Sequence, residues 1–217
     1  MKVGILGTGS VGNAIGTKLV ENGHEVKMGS RSATNAKATA WVSKNGSNAS
    51  QGIFEDAAKF GEILVLCTAG VGSMDALKAA GPENLDGKIL IDISNPLDFS
   101  KGMPPALFVS NTDSLGEQIQ RAYPKVKVVK TLNTTNAVIM ANPRSLADGE
   151  HDLFMSGNDA EAKTRVTQLL KSEFGWKHVI DLGDITTARG SEMILAIWVR
   201  LYGALQTPNF NFHIVRA

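Results

Sequence analysis

The stretch Val3-Gly4-Ile5-Leu6-Gly7-Thr8-Gly9-Ser10-Val11-Gly12 decides the fold. Val3 to Leu6 is short, mostly apolar and partly β-branched, as expected of a strand buried on both faces of a parallel sheet. It ends at Gly7. From there Val11, Ala14, Ile15, Leu19 and Val20 recur at helical spacing as far as Gly23, a residue able to adopt the left-handed conformation that stops a helix. Strand, glycine turn and helix follow one another without a gap, which is the context that gives a G-x-G-x-x-G motif its meaning. Each glycine has its own task. Gly7 permits the tight turn, Gly9 removes the side chain that would keep a pyrophosphate off the backbone, and Gly12 lets helix and sheet approach closely. The helix N-terminus then offers unpaired N–H groups and about half a positive charge to an anion. With Thr8, Ser10 and Val11 completing the turn, the stretch reads as a dinucleotide cradle.

Outward from it, Glu25 to Met28 reads as a second strand, Ala33 to Lys44 as a helix and Glu62 to Cys67 as a third strand rich in Ile, Leu and Val. Further strands are expected at Lys88 to Ile93 and Val126 to Leu132, with a helix over Asp113 to Tyr123 between them. This alternation implies an α/β Rossmann fold, a doubly wound parallel sheet with right-handed crossovers. The last third differs. Leu153 to Met155 reads as a short strand, Ala160 to Ser172 as a helix, and Gly190 to Leu205 as a second helix. The latter carries an apolar stripe at Met193, Ile194, Ile197, Trp198, Leu201, Tyr202 and Leu205. That stripe packs on the core, or else serves as a subunit interface or a lid over a ligand; it is too short for a membrane span and contains Arg200. Residues 1–150 are expected to form the dinucleotide-binding Rossmann domain. Residues 151–217 are expected to form a small helical extension on the same core, at the acceptor site and a dimer interface.

Composition narrows the partners. In 217 residues, 22 Lys and Arg stand against 21 Asp and Glu, and a net charge of +1 supplies no field to attract nucleic acid or an acidic bilayer. The single cysteine, Cys67, can form neither an internal disulfide nor a multi-thiolate metal site, which fits a reducing compartment. No apolar signal region follows Met1, so a cytoplasmic location is expected.

Cofactor choice is read at the end of the second strand. An NAD site places an acidic residue about 20 residues beyond the motif, on the ribose hydroxyls; this chain has Gly29-Ser30-Arg31-Ser32. Arg31 offers a planar, permanently charged fork to a 2′-phosphate and Ser30 a hydroxyl, so NADPH is favoured over NADH. Ligands in open α/β sheets lie beyond the carboxyl ends of the strands. Thr68 and Ala69 end one strand and Asn95 another; each either borders the dinucleotide or is ordinary turn chemistry. Asn133-Thr134-Thr135-Asn136-Ala137 is unusually polar after an apolar run, with amides and hydroxyls able to hold a carboxamide, a ring carbonyl or water.

The chain resembles the NADPH-dependent coenzyme F-420 reductases, which pass hydride between NADP(H) and a 5-deazaflavin. The resemblance rests on the glycine turn, on Gly23-His24-Glu25-Val26 leading to Gly29-Ser30-Arg31, and on Val128-Val129-Lys130-Thr131-Leu132-Asn133-Thr134. It continues through Phe154-Met155-Ser156-Gly157-Asn158-Asp159 and Asp181-Leu182-Gly183, and so covers essentially the whole chain. The cytosolic domain of transmembrane ferric reductases is similar as well. The resemblance implies a homodimer that holds nicotinamide and deazaflavin face to face in one cleft; coenzyme F-420, FMN and FAD are the candidates for the exchangeable acceptor. It implies NADP contacts at Thr8, Ser10, Val11, Ser30 and Arg31, and Ala137 beside the nicotinamide. Two positions depart from archaeal members: a basic residue a few positions after the arginine becomes Asn35, leaving Lys37 as a substitute, and a histidine is replaced by Asn133.

Hydride transfer between two rings asks for alignment rather than acid or base chemistry. Accordingly, no Ser/His/Asp set, metal cluster or carboxylate pair stands out, and His24, His151, His178 and His213 are scattered. No catalytic residue and no metal ligand is assigned. Hydroxyacid dehydrogenases and imine reductases share the motif but append a large helical domain, for which too little chain remains after Leu132. The alternative of another class is a noncatalytic NADPH-binding redox sensor or interaction module.

Overall fold

The computed structural model describes residues 1–216. The quoted stretch becomes β1 (Lys2–Leu6) and α1 (Ser10–Glu21), followed by β2 (Glu25–Ser30), α2 (Ala36–Asn45), β3 (Ala49–Ile53), α3 (Phe54–Phe60), β4 (Ile63–Leu66), α4 (Ser73–Ala80) and β5 (Ile89–Asp92). A small antiparallel hairpin, β6 (Leu97–Asp98) and β7 (Ala106–Leu107), precedes α5 (Leu115–Ala122) and β8 (Lys127–Thr131). The chain closes with α6 (Ala137–Ala141), β9 (Asp152–Ser156), α7 (Ala160–Leu169), β10 (His178–Asp181) and α8 (Ala188–Leu205).

The sheet runs β10-β9-β8-β5-β4-β1-β2-β3. From β3 to β8 every pairing is parallel. β1 and β4, neighbours in the sheet though β2 and β3 separate them in the chain, lie side by side where the winding reverses, and their carboxyl ends are where a doubly wound sheet offers its ligand crevice. β9 then pairs antiparallel with β8, and β10 parallel with β9. The fold class is therefore α/β and Rossmann-like, with one refinement to the expected helical extension: it also lengthens the sheet by two reversed strands.

Both faces of the sheet are covered, which explains the continuous apolar runs. In β4, Ile63 and Val65 pack toward α1, α2 and α7 with Ile15, Leu19, Trp41 and Val166, whereas Leu64 and Leu66 pack toward α3, α4 and α5 with Ala57, Leu77 and Ile119. The apolar stripe of α8 is only partly core. Leu195 is buried, yet Ile197 is 50% and Leu205 52% exposed. Helix α2 begins at Ala36 rather than Ala33, because the Asn35 side chain accepts hydrogen bonds from the Lys37 and Ala38 amides and so sets the N-cap. No helix among the described residues is long and apolar enough to cross a membrane.

Candidate active site

At the end of β1 the backbone turns on Gly7, whose φ of +131° and whose proximity to the Cys67 carbonyl, 2.6 Å from where a Cβ would lie, admit only glycine. A Cβ on Gly12 would fall 2.4 Å from the Gly7 carbonyl oxygen, so this position keeps α1 close to the turn. Gly9 is different. A Cβ there would meet nothing within 4 Å, so no protein contact accounts for the missing side chain. It caps α1 without any side-chain hydrogen bond, which leaves the first amides of the helix available to an anion.

Gly9, Ser10 and Val11 open on a cavity of about 510 Å³ above the carboxyl ends of the central strands. Thr68, Ala69, Asn95, Asn133 and Ala137, singled out from the sequence, all border it. Thr8 and Lys37 face a neighbouring cavity of about 500 Å³, which shares Gly9, Ser10 and Ala137 with the first and adds Lys44. Ser30 and Arg31 border neither. Arg31 is exposed at the tip of β2. The Ser30 hydroxyl is buried and donates to the Ser32 carbonyl oxygen at 2.6 Å while accepting from the Ser32 amide at 3.1 Å, so its proton is already committed to the turn. Asn35, as the cap of α2, is likewise committed.

The two strand-end loops meet closely. A Cβ on Gly70 would lie 2.0 Å from the Asn95 carbonyl oxygen, so the small residues after β4 serve first to let these loops pack. Asn95 Nδ2 donates to the Asn133 carbonyl oxygen at 2.7 Å, and Asn133 Nδ2 donates to Asn95 Oδ1 at 3.0 Å and to the Ser191 carbonyl oxygen at 3.1 Å. Because the Ser191 carbonyl can only accept, the orientation of the Asn133 amide is fixed. Its Oδ1, and the hydroxyls of Thr134 and Thr135, are buried without a partner among the described residues.

The far wall had no motif to announce it. Leu97 and Phe99 come from the hairpin region, and Leu195 and Trp198 from α8. Trp198 stacks on Tyr202 at a centroid distance of 5.9 Å and 13°, and packs on Phe210 at 5.1 Å. Phe210 belongs to the tail after α8, which is tied down where Asn136 Nδ2 donates to the Pro208 carbonyl oxygen at 2.5 Å and the Asp152 amide donates to that of Phe212 at 2.9 Å. The stripe reading had already named α8 as core, interface or lid, and Trp198 is where it reaches the cavity.

Beneath this wall lies a buried charged cluster. Lys130 Nζ donates to Asp92 Oδ2 at 2.9 Å, to Glu192 Oε1 at 2.8 Å and to the Ser94 carbonyl oxygen at 2.5 Å, with both carboxylates and the ammonium almost wholly buried. Burial disfavours the Lys130 charge, but Asp92 and Glu192 outweigh it and hold the ammonium above its ordinary pKa. Burial, reinforced by Asp92, pushes the Cys67 thiol up, so it stands protonated at the cavity edge.

Among the residues that line the 510 Å³ cavity there is no Asp, Glu, Lys, Arg or His. Its walls are apolar groups, amides and hydroxyls. They suit planar rings and offer no general acid or base among charged side chains, while the open space at Gly9 and the uncapped α1 fit a pyrophosphate.

Comparison with known proteins agrees with this geometry. Residues 2–96 match the family described as NADP oxidoreductase, coenzyme F-420-dependent. A solved structure from Arthrobacter sp. FB24, described as a candidate F-420-dependent NADP reductase, shares 54% identity with a TM-score of 0.95 over 100% of both chains. Metalloreductase STEAP3 of Rattus norvegicus is 30% identical over 208 residues, which is 95% of this chain; the chain spans 38% of that protein's length. A reductive aminase from Aspergillus terreus, solved with NADPH, shares the fold at 18% identity and a TM-score of 0.68, over 94% of this chain and 62% of its own. The chain belongs to the coenzyme F-420-dependent NADP oxidoreductase family and is an NADP-dependent oxidoreductase.

Proposed function

We propose that the chain passes hydride between NADP(H) and a 5-deazaflavin of the coenzyme F-420 type, both held in the cavity between the glycine turn and the α8 wall. The observation that carries this reading is a cleft bounded at one end by the open N-terminus of α1, aromatic at the other and free of charged side chains along its lining. When bound, NADPH supplies the hydride. The chain's part is to orient the two rings and to exclude water, and holding reactants at about 3–3.5 Å can remove roughly 7–11 kcal/mol of barrier.

On this reading the first amides of α1 hold the pyrophosphate, with Gly9 giving it room, and Ala137 borders the nicotinamide. Arg31, exposed at the tip of β2, takes the 2′-phosphate, assisted by Lys37, while the Ser30 hydroxyl shapes the turn beneath it. A charge-assisted contact contributes about 1.5–3 kcal/mol, so Arg31→Ala is expected to lose roughly tenfold to a hundredfold in NADPH affinity and nothing in NADH affinity. Residues 151–217 supply the acceptor side through Leu195 and Trp198, and the exposed apolar residues of α8 and the hairpin region pair two copies into a homodimer.

The test is stopped-flow oxidation of NADPH by the purified protein with coenzyme F-420, FMN and FAD in parallel. Rapid turnover confined to the deazaflavin is the expected result. Turnover with FMN alone, or with none of the three, would overturn the acceptor assignment, and equal NADPH affinity in wild type and Arg31→Ala would overturn the phosphate site.

A further inference from the structure

None of Asp92, Lys130 and Glu192 lines the cavity itself, yet the cluster grips Ser94, which does, and every element it joins contributes a wall. Asp92 ends β5, and its Oδ1 accepts from both the amide of Ser94 at 2.9 Å and its hydroxyl at 2.6 Å, immediately before Asn95. Lys130 lies in β8, three residues before Asn133, and also grips the Ser94 carbonyl oxygen. Glu192 lies in α8 between Ser191, whose carbonyl holds the Asn133 amide, and Leu195 and Trp198. Its carboxylate is in turn fixed at the N-terminus of α5, accepting from the Leu115 amide at 2.8 Å and the Gly116 amide at 2.9 Å.

We propose that Lys130, Asp92 and Glu192 are positioning residues for hydride transfer: their ionic junction sets the distance between the strand-end amides and the α8 wall, and so the fit of the acceptor ring against the nicotinamide. This rests on the cavity being the place where the two rings meet. Three features support it. All three Lys130 protons have acceptors, two of them anionic, so the junction has one satisfied arrangement. Two carboxylates against one ammonium leave a buried negative charge, which the α5 amides and helix N-terminus offset. Finally, buried ion clusters add little stability over apolar packing of the same volume, and breaking one member leaves an uncompensated charge. What such a junction adds is register.

Glu192→Gln is the decisive variant. Both carboxylate oxygens of Glu192 accept hydrogen bonds, Oε1 from Lys130 and Gly116 and Oε2 from Leu115, so a glutamine must turn its NH2 toward a donor and shift α8. The NADPH dissociation constant, read by fluorescence titration, is expected to stay within about twofold because the glycine turn lies outside the junction. With NADPH as donor, kcat should fall at least tenfold and the acceptor KM rise, and the isotope effect with 4-deuterated NADPH should increase as transfer becomes the slow step. Hydrogen exchange by mass spectrometry reads the junction without any acceptor: peptides within 93–97 and 188–205 should exchange at least tenfold faster, and those within 2–21 at the wild-type rate.

A folded Glu192→Gln with wild-type exchange in those peptides, or with NADPH affinity and kcat falling together, would overturn the proposal. Should Glu192→Gln not fold, Asp92→Asn is read in the same way; if neither folds, the cluster is a stability element and the proposal fails. Wild type that turns over no deazaflavin counts against the acceptor assignment above and leaves the exchange result to decide this one.

Discussion

Gly9 and Gly12 occupy neighbouring turns of one motif and are glycine for opposite reasons. At Gly12 the reason is internal, since an added Cβ would fall 2.4 Å from the Gly7 oxygen. At Gly9 it is external, since an added Cβ would stand in open space at the cavity mouth. Gly9→Ala is therefore expected to melt with the wild type and to lose at least tenfold in NADPH affinity, whereas Gly12→Ala should lose about 1–3 kcal/mol of stability through overpacking. Thermal melts paired with fluorescence titration separate the two. The motif showed both tasks because spacing alone assigns them. What spacing could not show was the local commitment of polar groups. Ser30 and Asn35 have the right chemistry for a phosphate, but their side chains satisfy a turn and a helix cap, a competition visible only once the backbone is placed.

Among the elements, α5 shows how electrostatics fix a helix start. Asp113, just before it, accepts from Arg121 at 2.9 and 2.7 Å, and this pairing holds its carboxyl at about 2, below the ordinary 3.8. A depressed carboxyl pKa contributes stability that is present above the unfolded value and is lost as pH falls through the folded one. Urea midpoints of the wild type should accordingly drop between about pH 4 and pH 2 more steeply than those of Arg121→Ala, whose Asp113 has lost the largest of the contacts that depress it. Parallel curves would count against that pairing.

The elements that the sequence hid share a physical cause. β3 (Ala-Ser-Gln-Gly-Ile) is an edge strand with little apolar character, and α3 starts at the very next residue, so no turn residue separates them. β10 is the opposite edge, four residues long and exposed or half-buried throughout. Interior strands, buried on both faces, were legible to within a residue or two. The stripe on α8 announced a helix but not its neighbours, because periodicity gives the direction of a face and not what lies against it.

Taken whole, the molecule leaves several large apolar side chains uncovered, among them Phe99 and Met103 between β6 and β7, 56% and 64% exposed, and Ile197 and Leu205 on α8. Patches of this kind on soluble chains mark association sites, and a homodimer buries the same patch of each copy. Sedimentation at micromolar concentration is expected to give a dimer, and Ile197→Glu/Leu205→Glu a folded monomer, since both positions are about half exposed in the single chain. A monomeric wild type would reject the pairing.

The tail that backs Trp198 carries a practical corollary. Whatever is fused after it extends the segment that holds Phe210 on Trp198 and pulls on the hydrogen bonds at Pro208 and Phe212. Met1 sits at the other rim of the sheet, its carbonyl bonded to Glu25 where the first strands begin. Purification handles, fluorophores and surface tethers belong at that end, where they leave the chemistry undisturbed.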